Sequence, residues 1–294
     1  MYSQITSNKR KTWLLIIIAC SIVMLLSVVF GAANGVDVYS SIIMGTVFGS
    51  IYALISYYFS AKTALWSTGA KEIKKAQAPE IWNIVENLCI ANGQPMPKVY
   101  IIDDPSPNAF ATGRDPNHAA IAFTTGILSI LNKQELEGVA AHELSHVKNY
   151  DIRVMTIVVV LVGAIMLFAD LFIHLRPRDK DSGQAAIVFL IVGLALSILS
   201  PILAEIIKLA VSRQREYLAD ASAALLTRYP DGLASALEKI HSANVPMKDA
   251  SHATAHLFIS NPFGAKQTRS FFSSLFSTHP PVEERVKRLR NMGG

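Results

Sequence analysis

The chain has 294 residues, of which 51% are hydrophobic and only 17% are charged. Soluble proteins carry roughly 25% charged residues, so this composition indicates a membrane protein. The formal charge of +5 is not gathered into a basic, aromatic-rich stripe, which disfavours nucleic-acid binding. The two cysteines, Cys20 and Cys89, are too few for a disulfide framework or a cysteine-based zinc cluster. Any metal site must therefore use His, Glu or Asp side chains.

Two long apolar segments near the amino terminus predict a transmembrane hairpin. They cover 13–30 and 38–59, and each is long enough to cross about 30 Å of hydrocarbon as a helix. A short turn at 31–35 joins them. The basic residues at 9–11 would also suit a cleavable signal peptide, but such a peptide has an apolar run of only about 7–15 residues. We therefore interpret residues 1–62 as a retained hairpin.

Two later apolar segments, 154–175 and 185–204, predict a second hairpin within residues 153–211. Basic residues flank the inner ends of all four segments, so the positive-inside rule places both termini in the cytoplasm. The loop at 176–180 does not follow the positive-inside rule, because it would lie outside the cytoplasm and yet holds three basic residues. The two later apolar segments could therefore be partly re-entrant. Ionisable side chains are costly at membrane depth, so those in this region are either functional or placed near helix ends. They are Asp170, His174 and Glu205.

The patterns within residues 63–152 predict that this segment forms the first part of a compact α+β domain. Apolar residues at helical spacing predict a helix over 79–92, which starts with a proline in its first turn. Three β-rich runs, at 98–102, 108–113 and 119–123, predict a small sheet.

The next helix carries the main chemical motif. A capping box formed by Asn132 and Glu135 starts it, and it then contains His142-Glu-Leu-Ser-His146. Residues four apart on a helix are offset by about 40°, so His142 and His146 can bind one metal ion. Catalytic zinc uses three protein ligands and keeps a fourth position open, and Glu143 is the candidate general base. The motif also occurs by accident, but here apolar neighbours bury it, where unliganded histidines would be unfavourable.

The third ligand must come from another segment. On spacing alone many carboxylates qualify, as do His118, His174, His241, His252, His256 and His279. Helix geometry favours Glu216, because a helix that continues from the fourth predicted span would carry it to about the height of His146. Asp220 lies four residues later on the same face and could hold a ligand histidine through its second ring nitrogen. On spacing alone, a charged helix surface explains this pair equally well.

Together these features resemble the HtpX-like integral-membrane zinc metalloproteases, relatives of the CAAX prenyl endopeptidase. The matching segments are the amino-terminal hairpin, 108–113, 141–146 followed by Asp151, the paired later spans, 212–220, and 278–281 ahead of 284–286.

The resemblance implies a mainly α membrane protein with a small β-sheet, in which a zincin-type protease domain is joined to about four transmembrane helices. Residues 212–294 would form the second part of that domain. The resemblance also implies that Glu216 is the third ligand of one Zn2+ ion, that Glu143 is the general base, and that Asp220 supports a ligand histidine.

Substrate recognition is implied in the same way. Asn108, Ala109 and Phe110 would form an edge strand that pairs with the substrate backbone. His279 is a candidate for stabilising the tetrahedral oxyanion, although a histidine before two prolines could equally fix a turn. The family is associated with quality control and stress response in the bacterial cytoplasmic membrane, where it cuts misfolded membrane proteins on the cytoplasmic side.

Two other functions stay open at this point. A CAAX-type prenyl-protein endopeptidase would share the chemistry but is expected to have more than four spans. A membrane transporter or scaffold with a structural zinc ion would have no need of Glu143.

Overall fold

The computed structural model describes residues 2–33, 35–159, 213–249, 251, 253–264 and 280–292. In these ranges the chain is mainly helical with one small sheet, as expected. The helices are α1 (Tyr2–Ala33), α2 (Val38–Ser67), α3 (Pro79–Asn92), α4 (Thr125–Ile130), α5 (Lys133–Lys148), α6 (Arg213–Thr227), α7 (Pro230–Ala243) and α8 (Val282–Arg290), and residues 151–159 are also helical. The strands are β1 (Lys71–Glu72), β2 (Lys98–Ile102), β3 (Ala109–Gly113) and β4 (Ala119–Thr124).

Helices α1 and α2 pack against each other as the predicted hairpin. Each contains a window long and apolar enough to span a membrane, Ile5–Val28 and Val38–Ile55. Only 12% and 17% of these windows are buried, whereas the core helix of a soluble protein would be mostly buried. This low burial favours contact with hydrocarbon. The two later predicted spans, with Asp170, His174 and Glu205, lie outside the described residues except for 154–159.

The sheet has the strand order β1-β2-β4-β3. Its central pair, β2 and β4, is parallel, and both outer pairs are antiparallel. The three predicted strands are confirmed. Strand β1 was not predicted, because two exposed residues, Lys71 and Glu72, give no periodic signal. Strand β3 forms one edge of the sheet.

Helix α5 is the centre of the domain. Its predicted capping box is present, since the backbone N–H of Glu135 donates to Asn132 Oδ1 at 3.0 Å and that of Asn132 donates to Glu135 Oε2 at 2.8 Å. Every residue of 138–147 is buried, because α5 packs against β3, α3, α6 and α7. A polar motif in this helix is therefore shielded from bulk water.

Gly138 lets α5 and α7 approach closely. A Cβ atom at this position would lie 2.7 Å from the backbone nitrogen of Leu233, a distance that real Cβ atoms essentially never show. Backbone cannot move aside as a flexible side chain can, so α7 would have to shift.

We expect Gly138→Ala to destabilise the domain, because overpacking by one methyl group typically costs about 1–3 kcal/mol and outweighs the better helix propensity of alanine. Gly49→Ala is a matched control, since its Cβ would find only ordinary contacts, 3.6 Å or more from Cys20. Thermal unfolding of the full chain in detergent measures both. An equal or higher melting temperature for Gly138→Ala than for the parent would contradict this packing.

Candidate metal centre and active site

Helices α5 and α6 bring the three predicted ligands together. Nε2 of His142 lies 3.2 Å from Nε2 of His146 and 3.8 Å from Glu216 Oε2, and Nε2 of His146 lies 3.5 Å from Glu216 Oε1. All three side chains are buried. One donor atom from each of these side chains lies within 4.8 Å of the other two, which is close enough to share a metal ion.

These separations fit a tetrahedral metal ion. Zinc bonds to nitrogen and oxygen at about 2.0–2.2 Å, so donors at tetrahedral angles should stand roughly 3.3–3.5 Å apart. The distances from His146 to His142 and to Glu216 Oε1 lie within about 0.1 Å of this range, whereas the 3.8 Å distance from His142 is to the other carboxylate oxygen, Oε2, and is longer.

The charges around the histidines fit a dication. Six other ionisable side chains of the described residues are buried beside the two imidazoles. The anions are Glu143, Asp151, Glu216 and Asp220, and the cations are Arg215 and Arg285. Four negative and two positive charges leave a net charge of −2, and such an imbalance is strongly unfavourable in a buried site. With neutral histidines, a divalent cation would offset this imbalance, and the partly buried Lys11 also adds positive charge through its interaction with Asp151.

Asp220 contacts His142, and its support of a metal-bound histidine stays a prediction. Its Oδ1 lies 3.0 Å from Nδ1 of His142, so a proton on Nδ1 leaves the Nε2 lone pair free for a metal. Arg285 holds both oxygens of Asp220, with Nη2 donating to Oδ1 at 2.7 Å and Nε donating to Oδ2 at 2.9 Å. Burial raises the pKa of Asp220, because it favours the neutral acid. The charge of Arg285 and the hydrogen bonds from His142 and Arg285 have the larger combined effect and lower the pKa to about 2. Burial also lowers the pKa of His142.

Asp151 contacts Nδ1 of His146, as Asp220 contacts Nδ1 of His142. Its Oδ2 lies 3.1 Å from Nδ1 of His146, although it is placed after the end of α5. Tyr150 adopts a left-handed backbone conformation, φ 61°, which is unusual for a non-glycine residue and turns the chain. Burial favours neutral His146, but the hydrogen bond to Asp151 and the charges of Glu216, Asp151 and Glu143 raise its pKa to about 9.

Glu143, the candidate base, is buried on α5 with 2% of its surface exposed. Its charge acts on His146 and on Arg285. The carboxylate therefore belongs to the same charged cluster as the three ligand candidates, and its role as a base stays a prediction.

The edge strand predicted to bind substrate is partly covered. The backbone N–H of Ile259 donates to the carbonyl of Ala109 at 2.9 Å. The amide of Asn108 exchanges hydrogen bonds with the backbone of Ser260 at 2.9 and 3.1 Å, and Phe110 is fully buried. Pairing of substrate with these residues stays a prediction, and a substrate strand would have to share the carbonyl of Ala109 with Ile259 or displace it.

The other histidines of the described residues do not reach the cluster. His118 is exposed and contacts Asp115 at 2.8 Å, His241 is exposed, and His256 bonds to the carbonyl of Met155 at 2.9 Å. His279, the oxyanion candidate, lies outside the described residues, as do His174 and His252.

A cavity of about 590 Å³ opens beside Arg285 and reaches Asn108, the residue before β3. Arg213, Ile240, Asn244 and Pro281 also line it. Its size is in the range of ligand pockets, and of the charged cluster Arg285 alone lines it.

Residues 75–293 match the family model described as peptidase family M48. The chain belongs to this family. A protein named "Protease HtpX homolog" from Tropheryma whipplei (strain Twist) is 49% identical over 298 residues, with 100% of this chain and 99% of the relative covered. A protein of the same name from Dictyoglomus turgidum is 48% identical over 301 residues, with 99% of this chain and 95% of the relative covered.

The fold also resembles a solved structure, "Crystal Structure of S. mikatae Ste24p". The TM-score is 0.53 at 18% sequence identity, and the match covers 98% of this chain and 67% of that chain. At this identity the likeness shows the fold alone. As an M48 peptidase with two apolar hairpin helices, the chain is a membrane metallopeptidase of the HtpX type.

Sequence reasoning alone gave no role to several residues of this M48 site. Asp151 and Arg285 stood in segments that carry the family resemblance, but neither was assigned a contact. Arg215 lies in the matching segment 212–220, and its position in the sequence predicts no contact with Asp151. The signal that could have found them is charge balance, since a buried motif with several carboxylates requires cations to match.

The pKa of His146 predicts how the metal-free protein responds to pH. The folded value of about 9 lies above the ordinary 6.5, so this proton contributes stability that is fully present below pH 6.5 and is lost as pH rises through about 9. We expect chelator-treated protein to lose about 1–3 kcal/mol of stability over this interval. Unfolding by denaturant at several pH values measures it. The interpretation fails if His146→Gln, treated in the same way, loses as much as the parent.

Proposed function

We propose that His142, His146 and Glu216 hold one zinc ion and that Glu143 is the general base of peptide-bond hydrolysis. The chain is a metallopeptidase by family, and the assignment of these four residues is the new step. One observation carries it. The three donor side chains converge inside a buried cluster in which four carboxylates face two guanidinium groups.

Bound zinc would polarise the scissile carbonyl and make water more acidic at an open fourth position. In this proposal the Glu143 carboxylate accepts the proton of the attacking water and returns it to the amine nitrogen that leaves. Asp220 and Asp151 each accept a hydrogen bond from Nδ1 of one histidine, which keeps Nε2 of both rings available as a ligand. Arg285 keeps Asp220 ionised and fixed in this role.

The substrates that we propose are misfolded or damaged membrane proteins and unfolded polypeptides, cut at the cytoplasmic face of a bacterial inner membrane. The hairpin of α1 and α2 would hold the site beside the bilayer, and the basic residues at 9–11 favour a cytoplasmic amino terminus. The relatives named "Protease HtpX homolog" match over nearly their whole length, which supports polypeptides as the substrates.

Substrate binding is proposed in two places. Asn108, Ala109 and Phe110 would recognise an extended backbone, and the cavity beside Arg285 would accept the chain on its way to the metal. His279 remains the candidate for stabilising the oxyanion. We also propose that residues 63–152 and 212–294 form one protease domain in two parts, with the hairpins 1–62 and 153–211 between and before them.

The proposal is tested by Glu143→Gln in full-length protein with zinc and an unfolded membrane-protein substrate. We expect cleavage to fall at least about 100-fold, because a general base contributes about 10²–10⁴ in rate. Zinc content should not change, because Glu143 is not a proposed ligand. Glu137→Gln makes the same substitution on another face of α5 and should cleave like the parent.

Equal cleavage by Glu143→Gln and the parent would show that another group is the base. Absence of cleavage by the parent with zinc or with any other divalent metal would overturn the proposal as a whole.

A further inference from the structure

A side chain from the first transmembrane helix reaches the metal centre. Asn8 lies near the start of α1 and is only 1% exposed. Its Nδ2 donates to Oδ1 of Asp151 at 2.7 Å and to the backbone carbonyl of Asn149 at 2.8 Å. The contact joins residues 143 positions apart in the chain, so it ties the hairpin to the segment that follows α5.

Asp151 is therefore held from two sides while it supports His146. Its Oδ1 accepts from Asn8 and, at 3.3 Å, from Nη1 of Arg215, the residue before Glu216. Its Oδ2 remains for Nδ1 of His146 at 3.1 Å. The orientation of the carboxylate, and with it the direction of the imidazole, depends on these donors.

The chemistry of asparagine suits this position. An amide nitrogen carries two N–H groups, and here it meets a carbonyl and a carboxylate at once. A buried amide is costly unless it is hydrogen-bonded, so a residue needed only for packing would be better apolar. The pattern of contacts favours a role in orienting Asp151.

We propose that Asn8 is a positioning residue of the metal centre, which fixes Asp151 and through it the ligand geometry of His146. The first transmembrane helix is then a part of the metal site as well as an anchor. This inference rests on the proposed function, because it takes His146 as a metal ligand.

Zinc affinity of the full-length protein, measured by competition with a chromophoric chelator at fixed pH, tests the inference. Asp151→Asn should weaken zinc binding about 10–100-fold, as is typical for a lost partner of a ligand histidine, and Asn8→Ala should weaken it about 3–10-fold. Ser7→Ala is the matched control, because Ser7 is the exposed neighbour on the same helix, and it should bind zinc as the parent does.

The double variant Asn8→Ala/Asp151→Asn separates positioning from general support of the fold. If Asn8 acts through Asp151, the double variant binds zinc as weakly as Asp151→Asn alone. If Asn8→Ala does not fold, Asn8→Gln keeps both N–H groups on a longer side chain and should bind zinc more weakly than the parent in the folded protein.

Two results would overturn the inference alone. One is an Asn8 variant with a lower melting temperature but the zinc affinity of the parent, and the other is a double variant whose loss is the product of the single losses. If the parent itself binds no zinc, the proposed function fails and this inference fails with it.

Discussion

The structure of this peptidase depends on the balance of charge in one buried cluster. Four carboxylates and two guanidinium groups enclose two histidines away from bulk water, and removing ions from water is tolerated only when partners compensate them. A dication would offset the surplus of negative charge. The raised pKa of His146 has the same origin, because without the metal the surplus of negative charge favours a proton on this ring.

The rest of the domain places the members of the cluster. The capping box and the close contact at Gly138 fix α5, so that both histidines face α6. Helix α6 contributes Glu216 and Asp220 one turn apart, and α8 contributes Arg285. The hairpin contributes Asn8, which donates to Asp151. Four separate parts of the chain therefore meet at one centre, which explains why the site cannot be understood from the His-Glu-x-x-His helix alone.

Local signals in the sequence were sufficient to predict most of the helices and strands that surround the site. Apolar periodicity, turn residues and the capping box predicted α3, α5 and three strands, and two apolar runs predicted the hairpin. These features depend on neighbours within a few residues. The convergence of His142, His146 and Glu216 also followed from helix spacing combined with a family resemblance.

Long-range contacts were beyond such reasoning. The approach of Asp151 to His146 depends on the left-handed conformation of Tyr150, for which the residue type gives no signal. The hydrogen bond between Asn8 and Asp151 joins a membrane helix to the start of the helical segment 151–159. The pairing of Ile259 with Ala109 covers an edge that the strand pattern leaves open. In each case the partner is chosen by tertiary packing and not by sequence neighbours.

The central claim is that one zinc ion is held by two imidazoles and a carboxylate. Zinc K-edge X-ray absorption of the full-length, zinc-loaded protein tests it most directly. We expect two imidazole nitrogens with the remaining oxygen ligands at about 2.0–2.2 Å and no sulfur. A sulfur shell at about 2.3 Å, which would require Cys20 or Cys89, or a spectrum with no imidazole scattering, would contradict it.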